Sequence, residues 1–393
     1  MIEMSQIPDL NLEVPLEEKI YYYNQAGKIA YEVFEEITPM VKPGTKIIDI
    51  CDKATALILE KGGKPSFPTT VSINNIAAYY SSPDDDETVI PEGSVVKVGL
   101  GTHVNGFIAT KADSFSFNDE YASLVEASHQ AWKNAMELVR IGTETNMIGV
   151  AVEDTIREFN YLPIRELSGN SLDRYQLFGN KMLPNVRLPF GKADSVMEVD
   201  EAYSFDTYAT TGSGSVHTDQ SKTFIYMLKP NRVMLRSQGS REVQSHIFKE
   251  YFTMPFSEHW ITSNPKFHPA RVRLTLRELR KSNGVVEFSV LSDIKESLVS
   301  QYQNTFLVTE SGYSITTLPP FDFEKPESIK EKEEQLEEVI KEVTEAKEKA
   351  EESSKDKSKE SNDEEKKTTK KTTKKSSKKT TKKSSKKTTK KSD

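Results

Sequence analysis

Apolar positions recur at helical spacing over residues 21–38 and again through Ile47, Ile48, Ala54, Leu57 and Ile58, with Pro43-Gly44-Thr45 between the two runs. A polar loop at 81–87 carries Pro83 and three consecutive aspartates. Residues 94–101 then form a near-continuous apolar run, and 104–109 a second, which together predict a β-hairpin. Helical spacing returns over 120–139 and, after Gly142, over 146–159. Strands are predicted at 202–211 and 222–227, a largely helical segment over 241–279, and closing strands at 288–291, 305–309 and 314–317. This alternation over residues 17–323 predicts one mixed α/β (α+β) body behind a short N-terminal extension, residues 1–16. Beyond it, Ile329, Leu336, Val343 and Ala350 fall seven apart, so 324–365 read as a charged helix, either in a coiled coil or solvated alone. From Lys366 to the end, KKTT alternates with KKSS without one apolar residue, the composition of a disordered tail.

Composition sharpens this outline. With 393 residues, 36% of them hydrophobic, the body has material for a sizeable core. No run approaches the roughly 18 apolar residues of a membrane span, and the acidic start (Met1, Ile2, Glu3) does not suit a signal peptide. The expected location is cytoplasmic, with a nuclear or nucleolar fraction. The single cysteine, Cys51, excludes an internal disulfide framework and a cysteine zinc site, and its apolar neighbourhood suits a small buried side chain better than a nucleophile. The net charge of -7 conceals segregation: +13 over 366–393, -8 over 324–365 and about -12 over 1–323.

The tail lysines are Lys366, Lys367, Lys370, Lys371, Lys374, Lys375, Lys378, Lys379, Lys382, Lys383, Lys386, Lys387, Lys390 and Lys391. Such a polyelectrolyte binds phosphate backbones by counterion release, whatever the base sequence, and has no aromatic residue for base stacking. A solubilising tail, a nuclear-import signal or an anionic membrane surface are competing uses, although no apolar anchor would hold it on a membrane. Phosphorylation of the intervening serines and threonines would cancel much of the charge.

Enzymatic motifs are sparse. There is no Walker loop and no GxSxG, and Gly212-Ser213-Gly214-Ser215 reads as a turn. His129, His217, His246, His259 and His268 show no HExxH or other metal-ligand spacing, and His217 with Asp219 is the nearest to a local pair.

Several stretches resemble the type II methionine aminopeptidases of the M24 peptidases: residues 66–69, 72–80, 95–109, 167–170, 203–211 and 301–305, in the family's order and spacing. Residues 241–279 match the position of the helical insertion of that type, placed here at about 229–280 within a domain spanning 17–323. The resemblance implies the pita-bread fold. It also implies five metal-ligand positions, filled in the enzymes by two Asp, one His and two Glu; here they carry Gly99, Thr110, Asn170, Asp206 and Gln303. Two further active-site histidines match Tyr79 and Phe178, and His103 matches a family histidine outside the metal set. Only Asp206 keeps a carboxylate, too little anionic donor capacity for two adjacent dications. Asp113 lies an odd number of residues from Thr110 and should face the other side of its strand.

Loss of these ligands, the insertion and a Lys-rich C-terminus resemble the proliferation-associated, growth-factor-receptor-binding branch, as do residues 222–226 and Met254-Pro255-Phe256. The resemblance implies a pseudo-enzyme without cofactor, serving as a scaffold for ribosomes, ribosomal RNA and regulatory proteins. The alternatives are an active metallo-aminopeptidase with an altered site and a metal-free module for nascent N-termini. Arg232, Arg236, Arg241, Lys249, Lys266, Arg271 and Arg273 add a basic cluster around the insertion as a candidate RNA contact. A chain ending at Glu365 is expected to bind RNA more weakly and with a shallower salt dependence in a co-sedimentation series; equal slopes would remove the tail from RNA binding.

Overall fold

The computed structural model describes residues 13–189, 195–230, 233–335, 337, 338, 341 and 344. The chain divides into two compact units, Met1–Glu324 and Lys325–Asp393. In the second, residues 327–335 are helical, with ion pairs from Lys325 to Glu333 (2.7 Å) and Lys330 to Glu327 (2.8 Å). Leu336, Val343 and Ala350 of the heptad reading, and all the tail lysines, lie outside the described residues.

The first unit is the expected mixed α/β body, a large and a smaller antiparallel sheet with helices packed on them. Its helices are α1 (Leu16–Ile37), α2 (Ile47–Glu60), α3 (Ala122–Met136), α4 (Thr145–Glu158), α5 (Gln238–Tyr251), α6 (Glu258–Thr262) and α7 (Pro269–Lys281). Its strands are β1 (Lys64–Ile73), β2 (Ile76–Ala78), β3 (Val95–Val104), β4 (Phe107–Ser116), β5 (Leu162–Pro163), β6 (Ser168–Leu172), β7 (Met182–Pro184), β8 (Ala202–Thr210), β9 (His217–Leu228), β10 (Phe256–Ser257), β11 (Val285–Ser292), β12 (Val299–Thr309) and β13 (Gly312–Ile315). One sheet runs β1-β3-β4-β12-β8-β6-β7, with β13 on β12 and β5 on β8; a smaller sheet runs β10-β9-β11-β2. Among the described residues, no helix is long and apolar enough to cross a membrane.

The large sheet is built from two similar halves. Val33, Phe34 and Ile37 of α1 and Ile47, Ile50 and Ile58 of α2 cover Val71, Val96 and Val98 in one core. Trp132 of α3 and Ile148, Val152 and Ile156 of α4 cover Tyr203, Phe205 and Phe306 in the other. β3 and β4 meet through Asn105-Gly106, whose φ values of 51° and 87° are those of a two-residue hairpin turn matched to strand twist. Gly27 lets α1 approach the β13 end closely, since a Cβ there would sit 2.0 Å from the Thr316 carbonyl oxygen.

β1 carries no period-two signal because it is irregular. Register shifts fall between Pro65 and Phe67 and between Phe67 and Thr70, and its burial repeats nearer every third residue. The predicted helical stretch 241–279 is broken into α5, β10, α6 and α7. Phe252 takes a positive φ of 52° at the end of α5, and Pro255 supplies no N–H to continue a helix, so Phe256 pairs instead with Tyr226 of β9.

A charged contact ties this inserted segment to the α2 side of the unit. His259 of α6 places Nδ1 2.7 Å from Asp84 Oδ1 and Nε2 3.0 Å from Asp52 Oδ1. Thr262 also donates to Asp84 (2.8 Å), while Arg273 of α7 donates to Asp84 (2.9 Å) and Glu258 (3.1 Å). Hydrogen bonds to Asp52 and Asp84 outweigh burial and raise the His259 pKa from 6.5 to about 9. Because the folded value lies above the unfolded one, this stabilisation is complete below pH 6.5 and is lost as pH rises through about 9. His259→Gln is expected to cost about 1–2 kcal/mol at pH 6, after discounting for solvent at Asp52, and little at pH 10 by chemical unfolding. Equal losses at both pH values would show that protonation does not hold the contact.

Candidate active site

The middle of β12 is where the halves of the large sheet join, with Gln303 opposite Asp206 of β8 on one side and Ala112 of β4 on the other. Side chains alternate along each strand, so this register sends Ser204, Asp206 and Tyr208 of β8, Gln301 and Gln303 of β12 and Thr110 of β4 into one cleft. Gly99 of β3 and Asn170 of β6 complete the ring. All five positions matched to family ligands therefore converge, as do Tyr79 and Phe178. The cleft has a volume of about 310 Å³, within the range of small-ligand pockets.

Neutral groups bonded to one another form most of its floor. The Thr110 and Ser204 hydroxyls lie 2.7 Å apart, Gln303 Nε2 donates to Ser204 Oγ (3.0 Å), and Thr305 Oγ1 accepts from the Thr110 N–H (2.8 Å). Gln301 Nε2 donates to the Tyr208 hydroxyl at 2.6 Å. Asn170 turns its amide to the Ser168 carbonyl (3.1 Å).

Asp206 is the exception. It is 8% exposed, and its Oδ1 is buried without a hydrogen-bond partner. Burial raises its pKa from 3.8 to about 6, although Tyr208 and Gln301 favour the ionised form. Burial also holds the hydroxyl of Tyr79 up at about 12 and that of Tyr208 well above its ordinary value, the Asp206 charge adding to both, so both remain proton donors at neutral pH. The aromatic wall beside this carboxylate consists of Phe67, Tyr79 and Phe178, backed by Phe288, with neighbouring rings 5.4 to 5.9 Å apart. Tyr79 has a left-handed backbone (φ 69°), an uncommon conformation for an aromatic residue, at the end of β2.

Asp113 does not reach the cleft: its Oδ1 sits 2.6 Å from His129 Nε2 of α3, on the other face of β4. His103 is buried and accepts from the Gly106 N–H through Nδ1 (3.2 Å); burial lowers its pKa to about 4, leaving it neutral. Cys51 is buried with its pKa pushed up to about 12, far from the thiolate of a nucleophile. Lys97, one alternation from Gly99, is buried and donates to the Asn74 and Val299 carbonyls, both at 2.9 Å. Tyr208, Gln301, Ser204 and Glu166 were not predicted as site residues; a period-two reading outward from Asp206 would have found Ser204 and Tyr208.

The basic residues of the insertion are more dispersed in role. Arg241 donates to the Leu235 and Arg236 carbonyls, Arg271 to Ser237, and Arg273 is ion-paired with Asp84 and Glu258. Arg236, Lys249 and Lys266 are exposed, and Arg232 lies outside the described residues.

The donor set does not fit the pair of divalent cations that the family resemblance implies. Gly99 offers no side chain, Thr110, Asn170 and Gln303 are neutral, and no three His, Cys, Asp or Glu side chains converge on a common point among the described residues.

Similarity to known proteins fixes the class. The profile of Metallopeptidase family M24 matches residues 22–182. A methionine aminopeptidase of Thermococcus onnurineus is 37% identical over 295 residues, covering 75% of this chain and 97% of that protein. One of Saccharolobus solfataricus is 34% identical over 292 residues, covering 74% and 95%. Among solved structures, that of a thermophilic Arx1 has a TM-score of 0.69 at 20% identity, covering 80% of this chain and 96% of that one. Methionine aminopeptidase from Rickettsia prowazekii has a TM-score of 0.56 at 16% identity, covering 78% and 100%. These two show the fold. The curated relatives overturn the expectation of a non-catalytic, ribosome-binding scaffold: full-length proteins 31% to 37% identical to this chain are named methionine aminopeptidase. The physical error was to read altered ligand positions, which describe a metal pair, as evidence about the class of the whole protein.

The ionised Asp206 is a cost to the fold. Its native pKa of about 6 exceeds the ordinary 3.8, so the native state binds the proton more tightly and stability falls as pH rises from about 4 through 6. At about 1.4 kcal/mol per pH unit, Asp206→Asn is expected to raise stability by about 1–3 kcal/mol at pH 7.5 and hardly at pH 4. Denaturant titrations at the two pH values check this; destabilisation at pH 7.5 would contradict it. On the strength of its relatives, the chain belongs to the methionine aminopeptidase family of the M24 metallopeptidases.

Proposed function

We propose that the cleft receives the amino terminus of a peptide and that the reaction is removal of an N-terminal methionine, with an altered metal site. The observation that carries this reading is the buried Asp206 carboxylate, its Oδ1 without a hydrogen-bond partner, beside an apolar aromatic wall, in a chain 37% identical to a methionine aminopeptidase. The wall suits an unbranched apolar side chain. The Tyr79 and Tyr208 hydroxyls, kept protonated by burial, supply hydrogen bonds for a peptide carbonyl. Residues 222–226 and Met254-Pro255-Phe256 support a place in the proliferation-associated branch, here without the loss of activity that the resemblance to that branch implies.

The test is release of methionine from a short Met-initiated peptide by the full chain, with cobalt, manganese or zinc added and with chelator, alongside elemental analysis of bound metal. Turnover is expected, with kcat/KM falling at least about 100-fold in Asp206→Asn. No release under any of these conditions would contradict the proposal.

A further inference from the structure

We infer that the cleft recognises the free α-ammonium group of its peptide directly through the Asp206 carboxylate, with no divalent cation between them. This deepens the aminopeptidase reading and rests on it for the identity of the ligand.

A buried carboxylate oxygen without a donor is costly, and such groups persist in native proteins where a ligand completes them. Tyr208 and Gln301 favour the ionised carboxylate, while Ser204 and Thr110 bond each other, Gln303 donates to Ser204 and Gln301 donates to Tyr208. Among the described residues no donor reaches Oδ1 and no cation is among the groups that shift Asp206, so a ligand that brings positive charge and an N–H or O–H suits that oxygen. A hydrated dication needs several anionic oxygens, and the cleft offers two carboxylates, Asp206 and a Glu166 already engaged by Ser215 and the Val216 N–H, among neutral amides and hydroxyls. A primary ammonium needs one carboxylate and a few neutral acceptors; the hydroxyls of Ser204 and Thr110 have lone pairs to offer. An alkylammonium on a peptide also brings a side chain, and Phe67, Tyr79 and Phe178 give it a water-poor surface. Tyr79 and Phe178 stand where the resemblance implies histidines, so the departures from the enzymes share one sense: sites for a cation pair are replaced by a neutral floor and an aromatic wall.

The experiment is a fluorescence titration of the full chain with a C-terminally labelled Met-initiated pentapeptide and its N-acetylated twin, in EDTA and in cobalt. Saturable binding in EDTA is expected, within about threefold of that in cobalt, weakened at least about 30-fold by acetylation and by Asp206→Asn. Asp206→Asn is isosteric and is expected to remain folded, which thermal unfolding of the same sample verifies. Binding only in cobalt, or binding indifferent to acetylation or to Asp206→Asn, overturns the inference. Methionine release without metal-free binding overturns it while leaving the aminopeptidase reading intact. Absence of both binding and release in every metal condition overturns both.

Discussion

Pairing at the centre of β12 is the constraint on which the site depends. Gln303 lies opposite Asp206 on one side and Ala112 on the other, so a single register fixes which faces of β4, β8 and β12 look into the cleft. A slip of one residue would bury Phe205 where Asp206 stands and turn the carboxylate into the apolar core beneath Trp132. The cores on either side, built on Val33 and Phe34 in one half and on Trp132 and Ile148 in the other, resist that slip. Buried Lys97 adds a stitch, spanning from β3 to the carbonyl of Val299 at the start of β12.

Within that frame the cleft trades stability for a reactive group. Asp206 is held away from water with one oxygen unbonded, and its surroundings draw its proton affinity toward neutrality. Ser204, Thr110 and Gln303 bond one another, and none of them donates to its Oδ1. Residues positioned in this way are expected where a ligand completes the bonding, and the aromatic wall beside the carboxylate is consistent with an apolar group arriving alongside a charge.

Much of this was legible in the sequence, unevenly. The β3–β4 hairpin announced itself through two apolar runs around Asn105-Gly106, and the helices through their spacing. β1 was hidden by its bulges, and the first half of β9 by its polar, exposed residues His217 to Ser221, whose pairing with β11 leaves no alternation to read. The cleft positions Gly99, Thr110, Asn170, Asp206 and Gln303 were found by resemblance and do meet in space. Tyr208 and Gln301 lie one alternation from Asp206 and Gln303 and were missed because the reading stopped at the ligand positions themselves. The class of the protein was misread for a related reason: the ligand positions were weighed alone, whereas similarity along three-quarters of the chain speaks for the aminopeptidases.

The most direct test of this account is a crystal structure of the full chain with a Met-initiated peptide, grown in the presence of cobalt. The account predicts the peptide nitrogen within hydrogen-bonding distance of the Asp206 carboxylate, at about 2.7–2.9 Å, with the methionine side chain against Phe67, Tyr79 and Phe178 and no ion between nitrogen and carboxylate. Two metal ions seated beside Asp206 and bridging it to the peptide would contradict it.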